Sequence, residues 1–344
     1  MTVIDLRSDT VTHPTDYILT AMANAKLGDE GFADDPTVNL LQEKVADMMG
    51  KEAALFMPSG TMANLAAILA HCKRGDEIVL GDLSHIYVYE YGGASSLGGV
   101  IYKPLPNAED GTLSINSVHE ATRPLSSRFP NTALVCLENT HNRCSGAVLP
   151  QDYVESISKI SHDNGSVVHL DGARIFNAAI AQNLHPKDLI STVDSAMFCF
   201  SKGLSCPIGS ILLGTNDFIA KARIIRNTLG GGMRQVGVLA AAALVALDEM
   251  IDRLIEDHNN ASLLANGLRK LKHVRLRSKV IETNIVIFEV PNKDTKELLS
   301  LFEKRGLKAS NPYGDNIRMV THYGISEEDI DEALGIVESI VESN

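Results

Sequence analysis

Lys202 follows the apolar run Ala196 to Phe200, and 31 residues before it Asp171 closes a second apolar run, in Val168-His169-Leu170-Asp171-Gly172-Ala173-Arg174. Taken singly, Asp171-Gly172 reads as a turn and Lys202-Gly203 as a strand exit with a solvated lysine. Together they place an amine and a carboxylate at the ends of two buried strands. An amine there can form a Schiff base with an aldehyde cofactor, and a buried carboxylate can keep a pyridine nitrogen protonated so that the ring accepts electrons. That pairing points to pyridoxal 5′-phosphate.

Further groups suit the same cofactor. Ser59-Gly60-Thr61 follows a short apolar run and opens a helix, so its backbone N–H groups, hydroxyls and positive helix end could hold a phosphate; a plain helix cap explains it as well. The chain has no Gly-x-Gly-x-x-Gly and no Walker lysine, which disfavours dinucleotides and nucleoside triphosphates. His85, after Leu80-Gly81-Asp82-Leu83-Ser84, could stack on the ring and move a proton, or could simply cap a helix. Asn139, in Glu138-Asn139-Thr140-His141, could bond the cofactor's phenolic oxygen or serve a loop turn. For a substrate carboxylate the arginine fork is the natural partner. Arg174 lies on the approach to Asp171. Arg318 sits inside an apolar strand, where it needs either a protein ion pair or an anion. Arg234 follows a triple glycine, which fits a close backbone approach, a subunit contact or a solvated side chain.

The elements that must position these groups alternate. Strand-like runs at 53–57, 78–80, 133–137, 166–170, 196–200 and 210–213 are interleaved with helical periods at 37–49, 59–72, 151–162, 217–226 and 236–255. This predicts an α/β fold: a mostly parallel sheet sandwiched by helices, with ligands at the carboxyl ends of the strands. Near 255–260 the texture changes. Asn259-Asn260 is expected to interrupt a helix, another helix runs from 263 to 271, and a small α+β unit follows with strands at 284–290 and 316–321. The expected division is a large cofactor-binding domain over 1–255, with residues 1–36 contributing to the site, and a small domain over 256–344.

Composition bounds the partners. The 344 residues are 44% hydrophobic and 22% charged, with a formal net charge of −12, which argues against a general nucleic-acid or anionic-membrane binder. Five cysteines without Cys-x-x-Cys spacing indicate neither a disulfide framework nor a zinc site, so no metal is expected. No stretch approaches the roughly 20 apolar residues of a membrane span, and the start lacks a signal core. A cytoplasmic protein acting on a small molecule is the expectation.

The chain strongly resembles the low-specificity L-threonine aldolases, fold-type I pyridoxal phosphate enzymes related to aspartate aminotransferase. The likeness rests on the segments at 5–12, 35–39, Ser59-Gly60-Thr61-Met62-Ala63-Asn64, 137–142, His169-Leu170-Asp171-Gly172-Ala173-Arg174, Ser201-Lys202-Gly203-Leu204 and 229–235, and covers nearly the whole chain. It implies cleavage of threonine or allo-threonine to glycine and acetaldehyde, with Lys202 carrying the cofactor, Asp171 on its ring nitrogen and His85 stacked on the ring. Ser59, Gly60 and Thr61 would hold the phosphate, and Ser8, Arg174 and Arg318 the substrate carboxylate. It also implies a homotetramer of two dimers with shared sites, Arg234 reaching a neighbour's phosphate. Two positions depart from the family. Arg128 stands where the family often has a histidine near the leaving aldehyde, and Phe32 where it often has tyrosine. Another reaction on this scaffold, such as β-elimination, racemisation or transfer of a different aldehyde, or a catalytically silent cofactor-binding protein, are the alternatives.

Overall fold

The computed structural model describes residues 3–123 and 128–342. Twelve strands are present among them: β1 (Ile4–Asp5), β2 (Ala53–Met57), β3 (Glu77–Gly81), β4 (Ile101–Leu105), β5 (Thr132–Glu138), β6 (Val167–Asp171), β7 (Ser195–Cys199), β8 (Ser210–Gly214), β9 (Arg275–Leu276), β10 (Ile285–Glu289), β11 (Leu307–Lys308) and β12 (Asn316–Val320). Seven form one sheet in the order β2-β8-β7-β6-β5-β3-β4. β8 runs antiparallel to both neighbours, and the remaining pairs are parallel. Helices cover both faces, so β3, β5, β7 and β8 are buried at every position. Continuous apolar runs rather than alternation are the sequence form of such strands. The sheet is the mostly parallel one expected.

Helix ends carry their signals. Asp35 caps the helix Pro36–Met49 by accepting from the N–H groups of Thr37 and Val38, and Gly50 ends it at φ 63°. That left-handed cap is the conformation glycine adopts without a Cβ penalty. The helix Gly60–His71 starts from Ser59, whose hydroxyl accepts from Met62 N–H. Its first turn therefore faces the end of the sheet where β2 stops.

The C-terminal layer has its own core. β12, β10 and β9 form an antiparallel sheet against the helices Leu254–Leu268, Thr295–Lys304 and Glu327–Val341. Leu268, Phe288, Phe302, Ile330 and Val337 are fully buried there, each contributing about 1.5–3 kcal/mol relative to exposure. Ile4 and Leu6 join this core, and β1 pairs in parallel with β11. The N-terminal strand thus belongs by contact to the C-terminal layer, and the chain returns from it past the end of the large sheet.

One expectation is corrected. Asn259-Asn260 does not break a helix, because Leu254–Leu268 runs straight through it. Asn260 is buried and donates from Nδ2 to Ile325 O at 2.8 Å, so its amide docks the helix on the loop before the last one. The interruption falls earlier, between Glu249 and Leu254.

Candidate active site

β6 and β7 are parallel neighbours, with Asp171 in register with Met197, and both end on one side of the sheet. There a cleft of about 310 Å³ opens, and Asp171 and Lys202 both line it. Gly60, His85, Arg174, Ser8 and Arg318 also face it. These residues come from the helix Gly60–His71, the loop after β3, the turn after β6, the N-terminal segment and β12. Thr12 Oγ1 donates to Lys202 O at 3.2 Å, which holds the N-terminal segment against the lysine turn.

Asp171 is 2% exposed. Its Oδ2 accepts from Asn64 Nδ2 at 2.8 Å and its Oδ1 from Ala173 N–H at 3.0 Å. Burial alone would raise its pKa, but the charges of His85 and Lys202 and these two donors hold it below the ordinary value. An anion is therefore maintained at the floor of the cleft. His85 Nδ1 lies 2.8 Å from Glu90 Oε1, and its backbone N–H donates to Glu138 Oε2 at 2.6 Å. Burial pushes the imidazole down, yet the hydrogen bond to Glu90 and the charges of Asp171, Glu90 and Glu138 leave its pKa raised. Burial likewise raises the Glu90 carboxyl.

The two cleft arginines differ in kind. Arg174 makes a two-pronged pair with Asp9, Nε to Oδ2 at 2.6 Å and Nη2 to Oδ1 at 2.7 Å, with both side chains buried. Arg318 donates to neutral oxygens, Asn142 Oδ1 at 2.9 Å and Arg7 O at 3.3 Å, and its buried Nε meets no acceptor among the described residues. No carboxylate lies within ion-pair distance of it there, and burial with the nearby charge of Arg174 lowers its pKa. A cation so placed is built to receive an anion.

Other candidates fall elsewhere. Ser59 and Thr61 are exposed in the first turn on either side of Gly60. A Cβ on Gly60 would stand 2.9 Å from Cys199 Sγ and 3.0 Å from Met197 Cε, so this position keeps a small-residue approach to the cleft. Asn139 does not reach the cleft: its Oδ1 accepts from Leu149 N–H at 3.2 Å, and the residue is fully buried. From the same turn Glu138, Thr140 and Asn142 line the cleft instead. Arg234 is exposed, 3.5 Å from Asp29 and outside this chain's own cleft. Arg128 and Phe32 are exposed and do not line it either.

Four contributors were not foreseen: Asn64, Glu90, Asp9 and Asn142. Asn64 carried a signal, being a lone amide four residues after Gly60 among the small and apolar residues Ala63, Ala66, Ala67 and Ile68 of its helix. Asp9 carried none, because its partner is 165 residues away.

The residues fit pyridoxal 5′-phosphate. A lysine and a buried carboxylate held anionic share one cleft, a glycine opens a helix at its edge, and an arginine without an acidic partner faces in. The model of the beta-eliminating lyases matches residues 5–291. A probable low-specificity L-threonine aldolase 2 of Arabidopsis thaliana is 44% identical over 99% of this chain and 98% of its own.

The chain belongs to the low-specificity L-threonine aldolase family.

The family's Escherichia coli (strain K12) protein, named low specificity L-threonine aldolase, is 42% identical over 96% of this chain and 97% of its own. The structure of Leishmania major threonine aldolase superposes with a TM-score of 0.83 at 20% identity, covering 98% and 99% of the two chains. That likeness carries the fold, and this aldolase fold is that of the pyridoxal phosphate-dependent fold-type I enzymes. As a member of this family, matched by the beta-eliminating lyase model, the chain is a pyridoxal phosphate-dependent lyase.

Proposed function

We propose that this chain cleaves threonine and allo-threonine, as β-hydroxy-α-amino acids, to glycine and acetaldehyde, with its residues in the following roles. The observation that carries the reading is an amine, Lys202, and an ionised carboxylate, Asp171, in one cleft facing Arg318, which has no acidic partner among the described residues. When bound, pyridoxal phosphate supplies an aldehyde that takes up amines and a protonated ring that accepts electrons from a bond at the amino-acid Cα. Lys202 would hold the cofactor aldehyde, Asp171 would face its ring nitrogen and His85 would lie against its ring. Gly60 exposes helix-start N–H groups to the phosphate, with the Ser59 and Thr61 hydroxyls beside it.

Arg318 takes the substrate carboxylate, helped by Ser8 and by the edge of Arg174 that Asp9 leaves open. Fixing the carboxylate at one wall leaves a single orientation of the amino acid, so binding selects which bond at Cα breaks. His85 accepts the β-hydroxyl proton at Nε2, while Glu90 holds Nδ1 and offsets the positive charge that forms. A larger unit over 1–255 and a smaller one over 256–344 would meet at this cleft. The further reading is a cytoplasmic homotetramer, a dimer of dimers. What supports it is the exposure of Arg234 beyond its own cleft and five thiols free of disulfides. Among the described residues no helix is long and apolar enough to cross a membrane.

The test is to incubate the protein and cofactor with each threonine stereoisomer and follow glycine and acetaldehyde. Equal amounts of both from at least one isomer are expected. Acetaldehyde from none of them, or pyruvate and ammonia from serine as the main products, refutes the reading. Borohydride should fix the cofactor on wild type and not on Lys202→Ala; a surviving adduct overturns the lysine assignment.

A further inference from the structure

Below the cleft floor a line of buried polar side chains leads away from Asp171 through the sheet. Asn64 Nδ2 is 2.8 Å from both Asp171 Oδ2 and Glu90 Oε1. Asn64 Oδ1 is 3.0 Å from His169 Nε2, His169 Nδ1 is 2.9 Å from Ser195 Oγ, and that hydroxyl is 2.8 Å from His71 Nε2. Asn64 is 1% exposed, and His169 and Ser195 have no exposure at all. His71 stacks on Phe218 with ring centroids 4.5 Å apart.

The donor inventory fixes every proton in this line. Two carboxylate oxygens surround Asn64 Nδ2, so the amide nitrogen must face them and Oδ1 must face His169. His169 then carries its proton on Nε2 and donates to Asn64. Its Nδ1 accepts from the Ser195 hydroxyl, which in turn accepts from His71 Nε2–H. All the donors point one way, toward Asp171, and bonds so aligned strengthen one another in a low-dielectric interior. Burial pushes His169 down to about 3 and His71 down to about 4, so both rings are neutral near pH 7. Neutral rings and aligned donors make the line an array of dipoles directed at Asp171.

We propose that His169 is a positioning residue: its Nε2–H locks the Asn64 amide with both N–H groups toward Asp171 and Glu90, and so keeps the cofactor's anchoring carboxylate ionised and in place. This rests on the reading of Asp171 as the partner of the pyridine nitrogen. Without the His169 donor, Asn64 Oδ1 is left buried and unmatched. Turning the amide over to relieve that would set its oxygen against two carboxylates. Either outcome weakens the support of Asp171. The charged groups around that carboxylate are His85 and Glu90 from the segment after β3 and Lys202 after β7.

The experiment titrates the apoprotein with pyridoxal 5′-phosphate, following cofactor absorption, and records apoprotein unfolding alongside. His169→Leu, which removes the donor, should bind the cofactor about tenfold more weakly, as the loss of one hydrogen bond to a charged network predicts. His169→Gln, whose amide can still donate toward Asn64, should stay within about threefold of wild type and keep the wild-type absorption of the bound cofactor. Wild-type affinity in His169→Leu, or equal losses in the Leu and Gln variants, overturns the proposal. Ser195→Ala, which frees Nδ1 and with it the tautomer, covers the case in which His169→Leu does not fold. It should weaken cofactor binding in the same direction, and unchanged affinity there also overturns the proposal. A wild-type protein that takes up no cofactor sinks the reading of Asp171 itself, whereas normal uptake with indistinguishable variants sinks only the role given to His169.

Discussion

Asp9→Ala should be among the most damaging single changes to the stability of this chain, although Asp9 lies in a segment without regular structure beyond one short turn. Its carboxylate has no exposure and receives two short bonds from Arg174, with Asn284 Nδ2 as a third donor at 3.3 Å. Burial would raise its pKa, but the charge and hydrogen bonds of Arg174 hold it far below the ordinary carboxylate range. Removing Asp9 leaves a buried guanidinium uncompensated, a loss of about 3–5 kcal/mol in comparable pairs. Arg174→Met alone leaves the opposite charge stranded and should cost a similar amount. The double variant removes both charges and should recover most of the loss, because a buried pair replaced by apolar groups is often close to neutral. The assay is urea denaturation at pH 7 followed by circular dichroism, with the slope compared across variants so that a changed unfolded state is recognised. A coupling of about 2 kcal/mol or more is expected. Losses that simply add, within about 0.5 kcal/mol, would refute the claim that these two side chains act as one unit.

Arg318→Leu should raise KM for threonine about 100-fold, the effect of losing one strong charge-assisted contact, while cofactor affinity changes less than about twofold. Equal loss of both would make Arg318 a structural residue. Burial pushes His258 down to about 4, against 6.5 in the unfolded chain. The unfolded state therefore binds the extra proton, so this histidine's contribution is complete above pH 6.5 and declines as pH falls toward 4. The stability difference between wild type and His258→Gln should accordingly shift against wild type between pH 7 and pH 5, and a pH-independent difference would contradict this. Gly60→Ala brings a Cβ to 2.9 Å from Cys199 Sγ. It should destabilise by about 1–3 kcal/mol and weaken cofactor binding; a variant with wild-type melting and affinity would show that the helix start yields freely.

Asp171 and Lys202 were legible as cleft residues because a charged residue at or just past the end of a mostly apolar run marks a strand end in a covered parallel sheet, and strand ends are where such sheets bind ligands. Arg318 was legible for the complementary reason, as the one cation in an apolar strand. Glu138-Asn139-Thr140-His141 was not legible in detail. All four residues are polar, and which of them faces the cleft depends on the backbone course of the turn, which no periodicity encodes. The structure sends Asn139 inward to Leu149 and brings Asn142 to Arg318. The helix break failed for a different reason. Asn-Asn disfavours helix in isolation, but the buried bond from Asn260 to Ile325 outweighs that weak local preference. The pairing of β1 with β11 spans most of the chain and that of Asp9 with Arg174 spans 165 residues, and spacing along the sequence holds no trace of either.

A protein with a formal net charge of −12 that is to grip the carboxylate of an amino acid has to concentrate positive charge locally. Counting cleft cations is a poor guide to where the anion goes, because their compensation differs. Arg174 is matched by Asp9 and enters the site close to electrically neutral, contributing shape and one open N–H edge. Lys202 faces the carboxylates of Asp9 and Asp171, whose pKa values its charge helps to lower. Arg318 alone among these three has only neutral acceptors, and Arg174 beside it makes its charge less favourable still. An arriving carboxylate would relieve that repulsion, which is why the proposed docking role falls to Arg318 rather than to Arg174. The same logic separates the two acids at the other end. Asp171 is held ionised by donors and cations, whereas Glu90 is pushed up by burial and shares its proton demand with His85. Two carboxylates bridged by one asparagine thus take opposite roles, a fixed anion and a proton-sharing partner, and Asn64 is the group that keeps them apart.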